Sequence, residues 1–122
     1  MKAEVSRIIL FVDDIDVMSA FYGGVLGLDK LPGGDTGFVC FAGGGCEICL
    51  HVLPEQYRSE GGEYPKREDT YVKFVFRSDD VERDRKYLID NGLRMNEIVR
   101  YGEIDICDGA DPEGNIFQIS SR

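Results

Sequence analysis

The chain has 122 residues and a formal net charge of −9, with 43% hydrophobic residues and only four prolines. That is one domain's length, enough to bury roughly two-thirds of the surface its unfolded chain exposes, and the composition excludes a disordered chain. The acidic balance argues against a nucleic-acid partner, whose phosphates would be repelled. No apolar run reaches the roughly 18–20 residues of a membrane span, and Met1-Lys2-Ala3-Glu4-Val5 is no signal peptide, so a cytoplasmic protein without a membrane partner is expected.

Of fifteen glycines, eleven cluster at 23–27, 33–37, 43–45 and 61–62, which marks boundaries between short elements. Val5 to Val12 is a β-branched and aliphatic run broken by Ser6 and Arg7, and predicts a strand. Asp13-Asp14-Ile15-Asp16 then opens a helix, because a carboxylate caps the free N–H groups and suits the dipole. Ile15, Met18, Phe21, Tyr22 and Val25 recur at helical spacing; the helix should stop near Gly23-Gly24 or at Gly27. Strands are predicted at Phe38–Phe41 and Cys46–Leu53 around the Gly43–Gly45 turn, with a further short one at Leu28–Leu31.

Residues 54–70 are polar and aperiodic and read as a mobile linker loop, a candidate lid. Tyr71 to Phe76 resumes a strand, and Asp79-Asp80-Val81-Glu82 opens a second helix that Asn91-Gly92 closes. Weaker strands follow at Met95–Tyr101 and Glu103–Asp108. Asp111-Pro112-Glu113-Gly114 is turn chemistry: the Asp bonds its own backbone, Pro presets φ and Gly supplies a positive φ. Ile116 to Ser120 is the last strand, interrupted by Gln118.

Asp14-Ile15-Asp16 and Asp80-Val81-Glu82 occupy the same place in two copies of a strand–helix–strands unit. Two copies indicate a paired-module domain rather than a solenoid. Module one spans 1–53, the linker 54–70 and module two 71–122 of a single domain.

Val12-Asp13-Asp14-Ile15, Ala20-Phe21-Tyr22, Val25-Leu26-Gly27-Leu28 and Asp111-Pro112-Glu113-Gly114-Asn115 together resemble the vicinal-oxygen-chelate superfamily of glyoxalases, extradiol dioxygenases and fosfomycin- and bleomycin-resistance proteins. The resemblance covers nearly the whole chain outside 54–70. It implies an α+β fold of two βαβββ modules in a curved, half-open mixed sheet, with helices on the convex side and the ligand on the concave face. It also implies a homodimer.

In metal-dependent relatives four ligands come from matched strand positions, usually as His, Glu or Gln. Seven residues before Asp14 stands Arg7, and seven before Asp80 stands Lys73; the last-strand positions fall at Cys49 and Gln118. Arginine offers no lone pair and lysine must first lose a proton, so no metal and no cofactor is expected at these positions.

His51, the only histidine, shares a strand face with Cys49 and Glu47. Glu47-Cys49-His51 reads as a soft-metal patch, as a thiol activated by imidazole, or more simply as a polar pocket wall, since same-face neighbours lie roughly 6–7 Å apart. Cys46 and Cys49 have redox-motif spacing but point to opposite faces of a strand. With Cys40 and Cys107 they are expected to be reduced, strand-buried thiols. Phe11, Phe38, Phe41, Tyr71 and Tyr101 divide between core and pocket in a way the sequence leaves open.

Two function classes follow. One is a metal-independent small-molecule-binding protein, with Arg7, Glu47, Cys49, His51, Lys73, Asp105 and Gln118 around the ligand. There Glu47, Glu103 and Asp105 would neutralise Arg7 and Lys73, because an unpaired buried charge is too costly to keep. The other is a lyase, isomerase or dioxygenase holding a metal at shifted positions, drawn from Glu47, His51, Asp105 and Gln118.

Overall fold

A computed structural model describes residues 1–58 and 72–122, so most of the expected linker loop, and Tyr71 with it, lies outside the described residues. The chain divides into two compact units, Met1–Gly62 and Glu63–Arg122. Each is an α+β unit with a mixed sheet, one of three strands and one of five.

In the first unit β1 (Arg7–Val12) leads into α1 (Ile15–Ser19), followed by β2 (Phe38–Ala42) and β3 (Glu47–Val52). Asp14 caps α1 as expected, its Oδ1 accepting from the Asp16 and Val17 amides at 3.1 and 3.0 Å. The helical stretch then widens into a π-turn over Ala20–Val25, with Leu26 N bonded to Phe21 O, and ends at Gly27, the later of the two expected stops. Gly23 lies inside that turn because a Cβ there would meet the Phe41 ring at 2.8 Å. The sheet order is β1-β3-β2, with β1 parallel and β2 antiparallel to β3. The expected strand at Leu28–Leu31 is reduced to one bridge, Lys30 to Phe41.

Strand alternation sorts this sheet into two faces. Val12, Val39, Phe41, Ile48 and Leu50 are buried, as are Met18, Phe21 and Tyr22 of the helical segment, and α1 packs on β3. The other face carries Arg7, Ile9, Phe11, Phe38, Cys40, Glu47, Cys49 and His51.

In the second unit β4 (Phe74–Arg77) precedes α2 (Val81–Asp90), and Asp80 caps the helix through the Arg83 amide at 2.9 Å. Asn91-Gly92 ends the helix as expected. The expected strand at Met95–Tyr101 is two short ones, β5 (Arg94–Met95) and β6 (Val99–Tyr101), both pairing with β7 (Ile104–Ala110). The last strand, β8 (Ile116–Ser120), lies between β7 and β4, parallel to β4.

The turn before β8 is organised by one buried carboxylate. Asp111 Oδ1 accepts from the Glu113 and Asn115 amides at 3.0 and 2.9 Å, and both its oxygens receive the Asn115 side-chain amide. Gly114 donates to Asp111 O at 2.9 Å with φ at 83°, the positive φ that only glycine adopts without strain.

One expectation is overturned. Cys40 and Cys49 are joined as a disulfide rather than reduced, while Cys46 and Cys107 are free. The cause is register: the turn at 43–46 sets Cys40 directly opposite Cys49 across the β2–β3 pair. Because Cys40 O accepts from Leu31 N on its outer side, the two face each other at a non-hydrogen-bonded position, with Cα atoms 4.0 Å apart.

Candidate functional site

The open face of each sheet carries a charged pair at the position predicted from the helix caps. In the first unit Arg7 Nη2 meets Glu47 Oε2 at 2.8 Å, across directly paired residues of β1 and β3. Glu47 Oε2 also lies 3.9 Å from the Cys49 sulfur. A hollow of about 210 Å³ adjoins the pair, lined by Arg7, Glu47, Cys40 and Phe38 and by the Leu31–Gly34 segment.

His51 stands apart from that cluster. It is exposed and packs between two aromatics of the same face, Phe11 at 5.4 Å and Phe38 at 5.5 Å between ring centroids. Alternation had placed Glu47, Cys49 and His51 on one face; the register of β2 adds Cys40 and Phe38, which no spacing along β3 reveals. Phe41 is core, and Tyr101 is exposed on β6.

In the second unit Lys73 Nζ meets Asp108 Oδ2 at 2.8 Å, and Gln118 Nε2 donates to Asp108 Oδ1 at 2.8 Å. One carboxylate therefore joins both positions named from the sequence. Asp108 was missed there, although its pairing opposite Gln118 across β7 and β8 follows once the register is known. Asp105 falls on the other face of β7 from Asp108, 3.7 Å from Arg100, and Glu103 lies in the β6–β7 turn. Lys73 thus finds Asp108 rather than either of those acids.

The energetic weight of these pairs is modest. Side-chain exposures of 48% and 36% for Arg7 and Glu47, and 35% and 29% for Lys73 and Asp108, leave them within reach of water, where an ion pair contributes up to about 1 kcal/mol. They are accessible polar arrays, able to exchange a partner for a ligand group. The free thiols contribute nothing here. Burial pushes the Cys107 thiol up from its ordinary value, and its sulfur lies 3.2 Å from Asn96 O.

Two mixed sheets, each with a helix on one face and a polar array on the other, define an α+β protein of repeated sheet–helix modules. The chain belongs to the Glyoxalase/Bleomycin resistance protein/Dioxygenase superfamily, whose family model matches residues 4–119. Among solved structures it is similar to the fosfomycin resistance protein FosX from Listeria monocytogenes, with 18% identity, a TM-score of 0.75 and coverage of 98% of this chain and 93% of that one. It is similar also to lactoylglutathione lyase from Agrobacterium tumefaciens (19%, TM-score 0.69, 98% and 94% covered). A third is TnmS3, an antibiotic-binding protein from Streptomyces sp. CB03234 (18%, TM-score 0.68, 97% and 94% covered). No curated protein matches the chain. Among the described residues no helix is long and apolar enough to cross a membrane.

The metal that many members of the superfamily use does not fit the donor set at the four matched positions. Arg7 has no lone pair to offer and is engaged by Glu47, and Lys73 is held by Asp108. Cys49 is bonded to Cys40, which leaves the Gln118 amide oxygen as the one ordinary donor of the four, its nitrogen donating to Asp108.

Proposed function

We propose that the protein is a metal-independent small-molecule-binding protein whose ligand lies on an open sheet face. Arg7, Glu47, Cys49 and His51 serve in one unit, and Lys73, Asp108 and Gln118 in the other. The observation that carries this reading is that three of the four matched positions, Arg7, Cys49 and Lys73, are tied to other side chains of the chain itself. The Arg7 guanidinium presents the planar fork that grips a carboxylate or phosphate, Phe38 lines the same hollow, and Phe11 and His51 extend the ring surface along that face. A fosfomycin-resistance protein and an antibiotic-binding protein among the structural relatives make antibiotics reasonable probes.

The test is calorimetry on the oxidised protein with Zn²⁺, Ni²⁺, Mn²⁺ and Fe²⁺, followed by thermal-shift measurements with fosfomycin and bleomycin in the presence of EDTA. No stoichiometric ion is expected, and any ligand-induced shift should survive the chelator. One tightly held ion per chain, lost in Gln118→Ala, would overturn the reading in favour of a metal-dependent lyase, isomerase or dioxygenase.

A further inference from the structure

We propose that Cys40 and Cys49, once reduced, form with Glu47 a binding site for a thiophilic divalent cation of the zinc class, and that the disulfide closes this site. The two sulfurs and a Glu47 carboxylate oxygen all lie within 4.8 Å of one another, on three positions of one antiparallel hairpin. A tetrahedral zinc ion holds sulfurs at about 2.3 Å and carboxylate oxygen at about 2.0–2.2 Å, so ligand atoms around it stand about 3.5 Å apart. Small side-chain rotations bring these three to that spacing without moving the strands. Cys40 and Glu47 line the hollow beneath Leu31–Gly34, so an ion between them sits at its wall with one side open for a further ligand.

Charge and ligand softness agree. Two thiolates and a carboxylate carry three negative charges, and Arg7, 2.8 Å from Glu47, supplies one positive charge. A divalent ion brings the total to zero, and Arg7 then orients the carboxylate as an outer partner, as second-sphere groups do in metal sites. Thiolate ligands select zinc and cadmium over magnesium or calcium. The ligands of this site lie wholly in the β2–β3 hairpin; it shares Glu47 and Cys49 with the binding mode proposed above but belongs to the reduced protein and involves neither Lys73 nor Gln118.

Opening requires a thiol reductant. A thiolate R–S⁻ attacks the half-buried Cys40 sulfur, breaking the S–S bond and releasing Cys49 as a thiolate. A second R–S⁻ attacks the reductant sulfur of the mixed disulfide, releasing Cys40 and forming R–S–S–R. Two electrons pass to the protein, and the ion replaces whatever protons the two thiols have taken up.

A Cys46→Ser/Cys107→Ser background leaves only this pair, and its titration with Cd²⁺ can be followed through the thiolate-to-metal charge-transfer absorption. After reduction and removal of the reductant, one ion per chain is expected, displaceable by Zn²⁺. Binding should vanish on reoxidation and in Cys40→Ser, weaken in Glu47→Gln and persist in Gln118→Ala. Far-UV circular dichroism accompanies each step. The proposal is overturned if the reduced, folded protein takes up no stoichiometric ion, if reduction itself unfolds it, or if uptake survives reoxidation or Cys40→Ser. Loss of uptake in Gln118→Ala also overturns it, because the site would then not be confined to the hairpin. Uptake that survives reoxidation contradicts the proposed function as well, whereas a reduced, folded protein that takes up no ion leaves that reading standing.

Discussion

Asp111 shows how much one side chain can organise. Its carboxylate satisfies two backbone amides and the Asn115 side chain while only 1% exposed, and its own backbone closes the turn to Gly114. Removing it strands buried donors, at about 1–3 kcal/mol for each group left unpaired. Asp111→Ala is therefore expected to lower the melting temperature by several degrees, with Asp111→Asn in between because its amide oxygen can still accept. Thermal denaturation followed by circular dichroism decides this, and an unchanged midpoint would contradict it. Arg7 and Glu47 are a different case. Their pair is too exposed to matter much for stability, so Arg7→Ala is expected to leave the melting temperature nearly unchanged.

At the scale of elements, the paired acids divide their labour. Asp80 caps α2 through the Arg83 amide, whereas Asp79 is solvent-exposed and reaches Arg77 only at 3.8 Å. Asp80→Ala should cost about 1 kcal/mol, and Asp79→Ala should stay within about 0.5 kcal/mol. Urea titrations of the two variants compare them directly, and equal effects would remove the distinction. The β2–β3 hairpin carries the opposite lesson. Cys46 and Cys49 are the closer pair in sequence, yet the disulfide joins Cys40 to Cys49. Pairing across strands depends on where the turn falls, and a shift of one residue there would have turned Cys40 to the other face.

At the scale of the whole molecule, the open sheet faces expose Ile9, Phe11 and Val75. Apolar side chains left in water favour association, and the family resemblance implies pairing of chains. A C2 homodimer burying more than about 1,000 Å² is expected. Light scattering at micromolar concentration tests this, and the mass of a single chain would refute it.

The amino-acid sequence alone determined the features that rest on local physics. The caps at Asp14 and Asp80, the helix ends at Gly27 and Asn91-Gly92 and the turn at Asp111–Gly114 were legible because each is made by residues within a few positions of one another. Their recurrence in two copies exposed the repeat, the family and, through spacing from the caps, Arg7 and Lys73. Strand boundaries were less legible: β6 is exposed throughout, and Leu28–Leu31 makes only a bridge. Only tertiary structure decided which strand lies beside which. That register set Cys40 against Cys49 and Glu47 against Arg7, and it turned Asp108 rather than Asp105 toward Lys73 and Gln118. A face of a strand can be read from alternation, but its neighbours come from chain closure over dozens of residues, which no local pattern encodes.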